Sequence, residues 1–460
     1  MNVKKLNKLV GLKEDDFKYF IGTSQIQYTN ARLIPLLKTG DEMALTSIFL
    51  SAVRLVKEFR NLIFKQIKLP KSGKFYYLTE VSFPELSKSR IDGLIVVIKS
   101  GKITNAVIFE MKKESYHIEK KQLEEYITLA QKLKIENVVT ISNQYVSDPS
   151  ESPVDLRIPK KINLFHFSWT YLLTLGRILL YKNENNIEDV DQVEIMKEVL
   201  FYLESEKSGV RGFSKMAVEW KSLTESILAH KTIRENDKTL HSAIESWYQE
   251  EKDMALKLSR ELGLMVKSKS RSKDSIKTDI KYVIKNKSIK SKIAVKDAVS
   301  DIQVEADFEK KNLKMTVSID CPDTGTNTSK INWLIKQLEN GKKKSTQPFD
   351  KLYPSTYITA NIKFARSGRT IELKNYEALK KIPKQEEISG FKLYTVQNLG
   401  SKFTSQKGFI KAIEDFLLDY YDAYVQYLTN WSKPAPKIEP SNTVHTEELE
   451  VQPSTKTHIE

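Results

Sequence analysis

The chain has one cysteine, Cys321, in 460 residues. No disulfide within the chain and no Cys-built zinc site can form, which fits a reducing, intracellular setting. The start, "MNVKKLNKLVGLKEDD", is charged throughout and lacks a signal-peptide core, so no secretory leader is expected. The most apolar long segment, "INLFHFSWTYLLTLGRILLY" (162–181), carries His166 and Arg177. It reads as a buried strand-to-helix segment and not a membrane span. There is no G-x-x-x-x-G-K-[ST] loop, no internal repeat and no signature of the common RNA-binding modules.

What is abundant is lysine. The formal net charge is +15, with a hydrophobic fraction of 40%. That fraction supports real cores, and the charge points to a polyanionic partner, most often nucleic acid. The length allows two or three domains.

Residues 1–38 are poorly patterned and read as a lead-in. A long helix is expected over 39–59, with Leu45, Ile48, Phe49, Ala52 and Val56 on one face. Strands are expected over 74–83, 91–98 and 103–112, then an amphipathic helix over 118–134. Strands over 136–143 and 161–167 and a helix through Tyr181 complete an α/β domain, 39–181, with a mixed sheet flanked by helices. Residues 182–264 read as a charged helical bridging region. Residues 265–432 combine a Lys-rich segment with an α+β domain, and the Pro-rich polar tail 433–460 is expected to be disordered. The stretch 265–300 holds 11 Lys or Arg against three acids, suited either to phosphate contact or to a solvated linker.

The informative stretch is "RIDGLIVVIKSGKITNAVIFEMKK", residues 90–113. Two apolar strands meet at a turn, with Asp92 at the front of one and Glu110 and Lys112 at the back of the other. If they pair about Gly101 in a three-residue loop, Asp92 falls opposite Glu110, with Lys112 one pleat further on the same face. A two-residue loop would turn Asp92 to the other face unless a bulge restores the pairing. Adjacent carboxylates repel unless a cation sits between them. Mg²⁺ takes one or two carboxylates and keeps several waters, and Mn²⁺ is the expected substitute. Lys112 would then orient or deprotonate a water, or pair with a phosphate oxygen.

This stretch resembles the PD-(D/E)xK nuclease superfamily, with Asp92 and the "EMK" of Glu110–Lys112 as its signature and Ile91 in place of the usual Pro. The resemblance covers about residues 39–181 and implies a restriction-endonuclease-like fold. It also implies Glu42 on the first helix as a further metal ligand, and a Q-x-x-x-Y pair, Gln122 and Tyr126, after the E-x-K. It implies metal held by Asp92, Glu110 and the Met111 backbone carbonyl, with Glu42 and Gln122 steadying them. Simpler roles exist: Glu42 suits a helix N-terminus, Tyr126 suits the core, and Glu80 is an alternative carboxylate. Lys113, Tyr126, Lys267, Lys269, Arg271 and Lys273 are candidate nucleic-acid contacts, and His117 is near enough to join them.

The expectation is a cytoplasmic, bacterial, Mg²⁺-dependent endonuclease acting on DNA, in defence or repair. A homodimer would let one metal site cut both strands, and the C-terminal domain could take a protein partner or activator. The competing reading is a catalytically inactive nuclease-fold scaffold that binds DNA or protein. RNA as substrate ranks lower.

Overall fold

The computed structural model describes residues 5–30, 41–87, 89–113, 118–146, 149–181, 186–269 and 273–432. The expected disordered tail, 433–460, lies outside them. The described chain is mixed α/β, with a six-stranded mixed sheet and a seven-stranded antiparallel sheet, each flanked by helices.

The first sheet is built from α1 (Glu14–Gly22), β1 (Gln27–Asn30), α2 (Glu42–Leu55), α3 (Lys57–Gln66), β2 (Lys74–Ser82), β3 (Arg90–Lys99), β4 (Lys102–Met111), α4 (Lys120–Leu133), β5 (Asn137–Ser142), β6 (Asn163–Ser168) and α5 (Trp169–Leu180). The strands lie in sequence order. Neighbours from β1 to β4 are antiparallel, and β4, β5 and β6 run parallel. The helix α4 makes the crossover that parallel strands require. Two apolar layers sandwich the sheet. One joins Ile95, Val107, Phe109 and Val139 to α2, α3 and α5. The other joins Leu94, Val96, Ile108 and Val138 to α4.

Several sequence expectations change here. The described part of the lead-in, residues 5–30, is structured: Leu6, Leu9, Phe17, Phe20 and Ile26 are buried in the α4-side layer, and β1 extends the sheet. The helix expected over 39–59 breaks at Val56, which is extended (φ −105°, ψ 104°). The new helix starts at Lys57, whose N–H donates to Gln192 Oε1 at 2.7 Å. Every residue from Ala44 to Val53 is buried, so α2 is wrapped on all sides and has no single apolar face.

The expected bridging region divides between the two cores. α6 (Val190–Glu204) packs with the first sheet, whereas α7 (Val218–Leu228) and α8 (Lys238–Leu262) belong to the second core. The boundary therefore falls between Glu204 and Met216. The described part of the Lys-rich segment is folded: it supplies β7 (Lys267–Ser268), α9 (Lys273–Asn286) and β8 (Ser288–Ala294). These are followed by β9 (Ile302–Asp307), β10 (Asn312–Asp320), α10 (Asn327–Lys344), α11 (Thr346–Leu352), β11 (Thr356–Ile362), β12 (Arg369–Glu372), β13 (Ile388–Asn398) and α12 (Gln406–Ala423). The strand order is β12-β11-β13-β10-β9-β8-β7. β13, unexpected from the sequence, lies between β11 and β10 and pairs with both.

Among the described residues no helix is long and apolar enough to cross a membrane. The apolar segment 162–181 is β6 running straight into α5, both buried.

Candidate functional site

The hairpin of β3 and β4 turns through two residues, Ser100 (φ 49°) and Gly101 (φ 71°), with Lys99 opposite Lys102. Positive φ at both positions suits the right-handed twist of a tight hairpin. The three-residue loop of the sequence reading is therefore replaced by a two-residue turn. A bulge then corrects the register: Ile98 pairs with Ile103 and Val97 with Asn105, leaving Thr104 unpaired. From there the ladder runs to Gly93 opposite Phe109, so the next residues, Asp92 and Glu110, face each other.

The side chains converge. Asp92 Oδ2 accepts the Met111 N–H at 2.7 Å. Glu110 is 1% exposed in the sheet. Lys112 Nζ stands 2.7 Å from Glu110 Oε1 and 3.2 Å from Glu42 Oε1. Neither buried oxygen of Glu110 receives a well-directed hydrogen bond. Burial and the charge of Glu110 hold the Asp92 carboxyl well above the usual carboxylate range, against the pull of the Met111 N–H. Burial opposes the charge on Lys112, but Glu110, Glu42 and Asp92 outweigh it and raise the ammonium's pKa.

The surrounding backbone fixes these groups. The Lys112 N–H donates to the Ile141 carbonyl on β5 at 2.8 Å, and the Lys112 carbonyl accepts the Trp169 indole N–H at 2.8 Å. Along a strand, successive residues present their backbone groups to opposite edges. With Lys112 turned to β5, the N–H and carbonyl of Met111 face Asp92, and the Met111 side chain is buried. Gly93 lets α2 close on the sheet: a Cβ there would lie 3.0 Å from Leu50 Cδ1 and 3.2 Å from Phe109 Cβ. That approach places Glu42, the first residue of α2, beside Lys112.

Gln122 and Tyr126 sit on α4 one turn apart. Gln122 Nε2 donates to the Tyr126 hydroxyl at 3.4 Å, and that hydroxyl donates to the Arg90 carbonyl at 2.7 Å. Burial and the charges of Glu110 and Asp92 raise the phenol's pKa. Gln122 thus reaches the carboxylates through Tyr126. The nucleic-acid contact expected of Tyr126 is corrected: the side chain is 1% exposed, and its hydroxyl ties α4 to β3.

Three features were missed or underweighted in the sequence. Thr79 opposite Gly93 and Val81 opposite Ile91 bracket Glu80 against Asp92. Glu80 has a left-handed backbone (φ 54°), and its Oε2 lies 2.7 Å from Arg90 Nε. Burial raises its carboxyl; Arg90 opposes this, and Asp41, Glu42 and Glu110 add to it. On the other side, Glu110 pairs with Thr140 and Thr140 with His166. The result is a row of polar residues across five strands. His166 Nε2 donates to the Gln144 carbonyl at 2.9 Å and Nδ1 lies 2.8 Å from the Thr140 hydroxyl, while burial favours the neutral ring. Trp169 is the third feature. Its signal was only that it follows a strand within an apolar run.

Of the remaining candidates, Lys113 is half-buried, while Lys267 and Lys269 are exposed on or next to β7. Lys267 joins Lys252, Ser168 and Tyr171 in lining a cavity of about 390 Å³ between β6 and α8. Arg271, His117 and the Lys273 side chain lie outside the described residues.

Among the described residues no three His, Cys, Asp or Glu side chains are grouped as a metal cage. The facing oxygen donors are the Asp92 and Glu110 carboxyls, strand alternation turns the Met111 carbonyl to the same edge as Asp92, and Glu42 is paired with Lys112. Hard oxygen donors of this kind suit Mg²⁺ or Mn²⁺, with water filling the remaining positions. Glu110 Oε2, buried and without a hydrogen-bond partner, fits that chemistry, while Oε1 meets Lys112. No family model, no curated protein and no solved structure matches this chain.

Proposed function

We propose that the chain is a metal-dependent nuclease that hydrolyses DNA phosphodiester bonds, with a restriction-endonuclease-like first domain. The observation that carries this reading is the buried carboxyl pair: Glu110, 1% exposed, faces Asp92, and the single ammonium of Lys112, 2.7 Å from Glu110 Oε1, is shared with Glu42. Two facing carboxyls with one shared ammonium leave one buried negative charge that costs several kcal/mol unless a cation compensates it. Asp92, Glu110 and the Met111 carbonyl would hold Mg²⁺ or Mn²⁺, whose chemistry is to lower the pKa of water and stabilise charge on phosphate. Lys112, kept protonated by its neighbours, serves as a fixed positive charge for a phosphate oxygen. Glu42 holds that ammonium, and the Met111 N–H fixes Asp92. Tyr126 and Trp169 lock the strand ends that carry both acids. An endonuclease in defence or repair, cytoplasmic and bacterial, remains the setting that the sequence suggests.

The test is cleavage of supercoiled plasmid and of single-stranded DNA with Mg²⁺, Mn²⁺ or EDTA, by wild type, Glu110→Gln and Lys112→Ala. Metal-dependent cutting lost in both variants supports the reading. Absence of cutting by wild type, with DNA binding intact, sinks it. The Lys112–Glu110 contact at 2.7 Å favours a second reading, a structural ion pair within a binding-only scaffold. In that case both variants would destabilise the fold and leave wild type equally inactive with and without metal.

A further inference from the structure

Among the described residues, the buried core of the seven-stranded sheet lies on one of its faces. Burial alternates residue by residue along β9, β10 and β11, the pattern of an antiparallel sheet with one solvated side. The covered side holds Ile289, Val304, Met315, Val317, Ile358 and Leu393. On the open side Tyr357 and Tyr394 are directly opposite across β11 and β13. Their rings stack, with centroids 5.1 Å apart and planes at 12°. Lys314 Nζ lies 4.3 Å from the centre of the Tyr394 ring.

Lysine surrounds this pair. Lys392 is one pleat from Tyr394, and Lys290 and Lys292 stand on β8 on the same face. The acids on this face are Glu305, opposite both Lys314 and Lys290, and Asp320 at the end of β10. Asp307 and Glu372, at the margins, are engaged by Lys310 and Lys374. The face therefore has an excess of positive charge. Burial lowers the Lys314 ammonium, and Lys290, Lys392 and Lys310 lower it further while Glu305 opposes them. Beside the tyrosines a cavity of about 1030 Å³ opens between Tyr357, Tyr394 and Ile371 on one wall and Asn375, Lys380 and Lys381 on the other.

We propose that this open face binds single-stranded DNA, with bases stacking on the Tyr357–Tyr394 platform and phosphates meeting Lys290, Lys292, Lys314 and Lys392. An unpaired base offers a flat face to an aromatic ring, and a duplex does not. The surplus of lysine matches a phosphate chain and not an apolar protein surface. The choice of DNA over RNA rests on the nuclease reading; the single-strand chemistry stands without it.

The experiment is fluorescence anisotropy on the full chain in EDTA, so that binding is read without cleavage. The probes are labelled oligothymidylate of about 30 nucleotides, the matching oligouridylate and a DNA duplex of the same length. Tyr357→Leu with Tyr394→Leu should weaken oligothymidylate binding at least about tenfold, and duplex binding far less. Lys314→Gln with Lys392→Gln, at positions outside the core, should reduce the salt slope by about 1.4, or about 0.7 per phosphate contact. The proposal is overturned if wild type does not bind oligothymidylate. It is equally overturned if both pairs of variants bind it as wild type does, or if the losses fall on the duplex or on a tighter-bound oligouridylate. A failed nuclease reading would look different: no metal-dependent cutting, with these binding differences intact.

Discussion

Asp92 and Met111 are joined by a 2.7 Å hydrogen bond in which the carboxylate accepts the backbone N–H across the end of the β3–β4 hairpin. The bond gives Asp92 a structural duty besides its charge, and the two can be separated. Asp92→Asn keeps an acceptor for Met111 and removes the charge. Asp92→Ala removes both and leaves a buried N–H unsatisfied, at about 1–3 kcal/mol. Both variants should lose DNA cleavage, whereas only Asp92→Ala should lose that much stability in urea. Equal destabilisation by the two would show that the bond does not hold the strand ends together.

Metal binding gives a readout that does not depend on cleavage. A cation bound to the folded state alone adds about 2.7 kcal/mol at a hundredfold excess over its Kd. Thermal melts of wild type should therefore rise with added Mg²⁺ or Mn²⁺ and fall back in EDTA. Glu110→Gln, lacking the buried carboxylate that faces Asp92, should melt at the same temperature with and without metal. A rise of equal size in both proteins would place the cation elsewhere.

Tyr126 and Gln122 should act as one unit. The phenol donates to the Arg90 carbonyl at 2.7 Å, and Gln122 contacts the phenol at 3.4 Å. Tyr126→Phe should cost about 1 kcal/mol and lower the cleavage rate. Gln122→Ala should cost less, and the double variant should be no worse than Tyr126→Phe alone. A fully additive double variant would mean that Gln122 works independently of the tyrosine.

The acidic hairpin was legible because two continuous apolar runs meet at a turn and its charges sit where a core should continue. The bulge at Thr104 was not legible, since nothing in "KSGKIT" distinguishes a three-residue loop from a two-residue turn with a bulge. The break at Val56 was also hidden. An apolar helical period runs through it, and the residue that receives the new helix, Gln192, is on α6. β13 escaped notice because its partners, β10 and β11, precede it at long range and its strand character depends on filling the space between them. Glu80 was weighed only as a carboxylate on the first strand, and its left-handed backbone and its position opposite Asp92 make it notable.

Gly93 is a steric requirement of the same site. A methyl group there would press on Leu50 Cδ1 at 3.0 Å and Phe109 Cβ at 3.2 Å, and α2 would have to move off the sheet. Overpacking of this kind costs about 1–3 kcal/mol. Gly93→Ala should show that loss in urea, together with slower cleavage, because α2 carries Glu42 against Lys112. The paired substitution Gly93→Ala with Leu50→Ala should recover part of the cleavage rate. If Gly93→Ala alone cleaves as wild type does, the position of α2 does not set the position of Lys112.

His166 makes stability depend on pH in a defined direction. Burial pushes its imidazole down to about 4, with the hydrogen bond to Gln144 opposing the shift. In the unfolded chain the ring titrates near its ordinary value of 6.5. Between those two values the unfolded chain binds the proton and the folded chain does not. The contribution is therefore complete above 6.5, is lost as pH falls towards 4, and amounts to a loss on the order of 3 kcal/mol. Carboxylates also titrate in the lower part of this range, so the quantity to measure is a difference. His166→Gln can still donate to the Gln144 carbonyl but has no proton to gain. Urea midpoints taken from pH 7.5 down to pH 4.5 should fall more steeply for wild type than for His166→Gln. Parallel curves would mean that the ring is already charged, or is solvated, in the folded protein, and the neutral Thr140–His166–Gln144 arrangement would have to be abandoned.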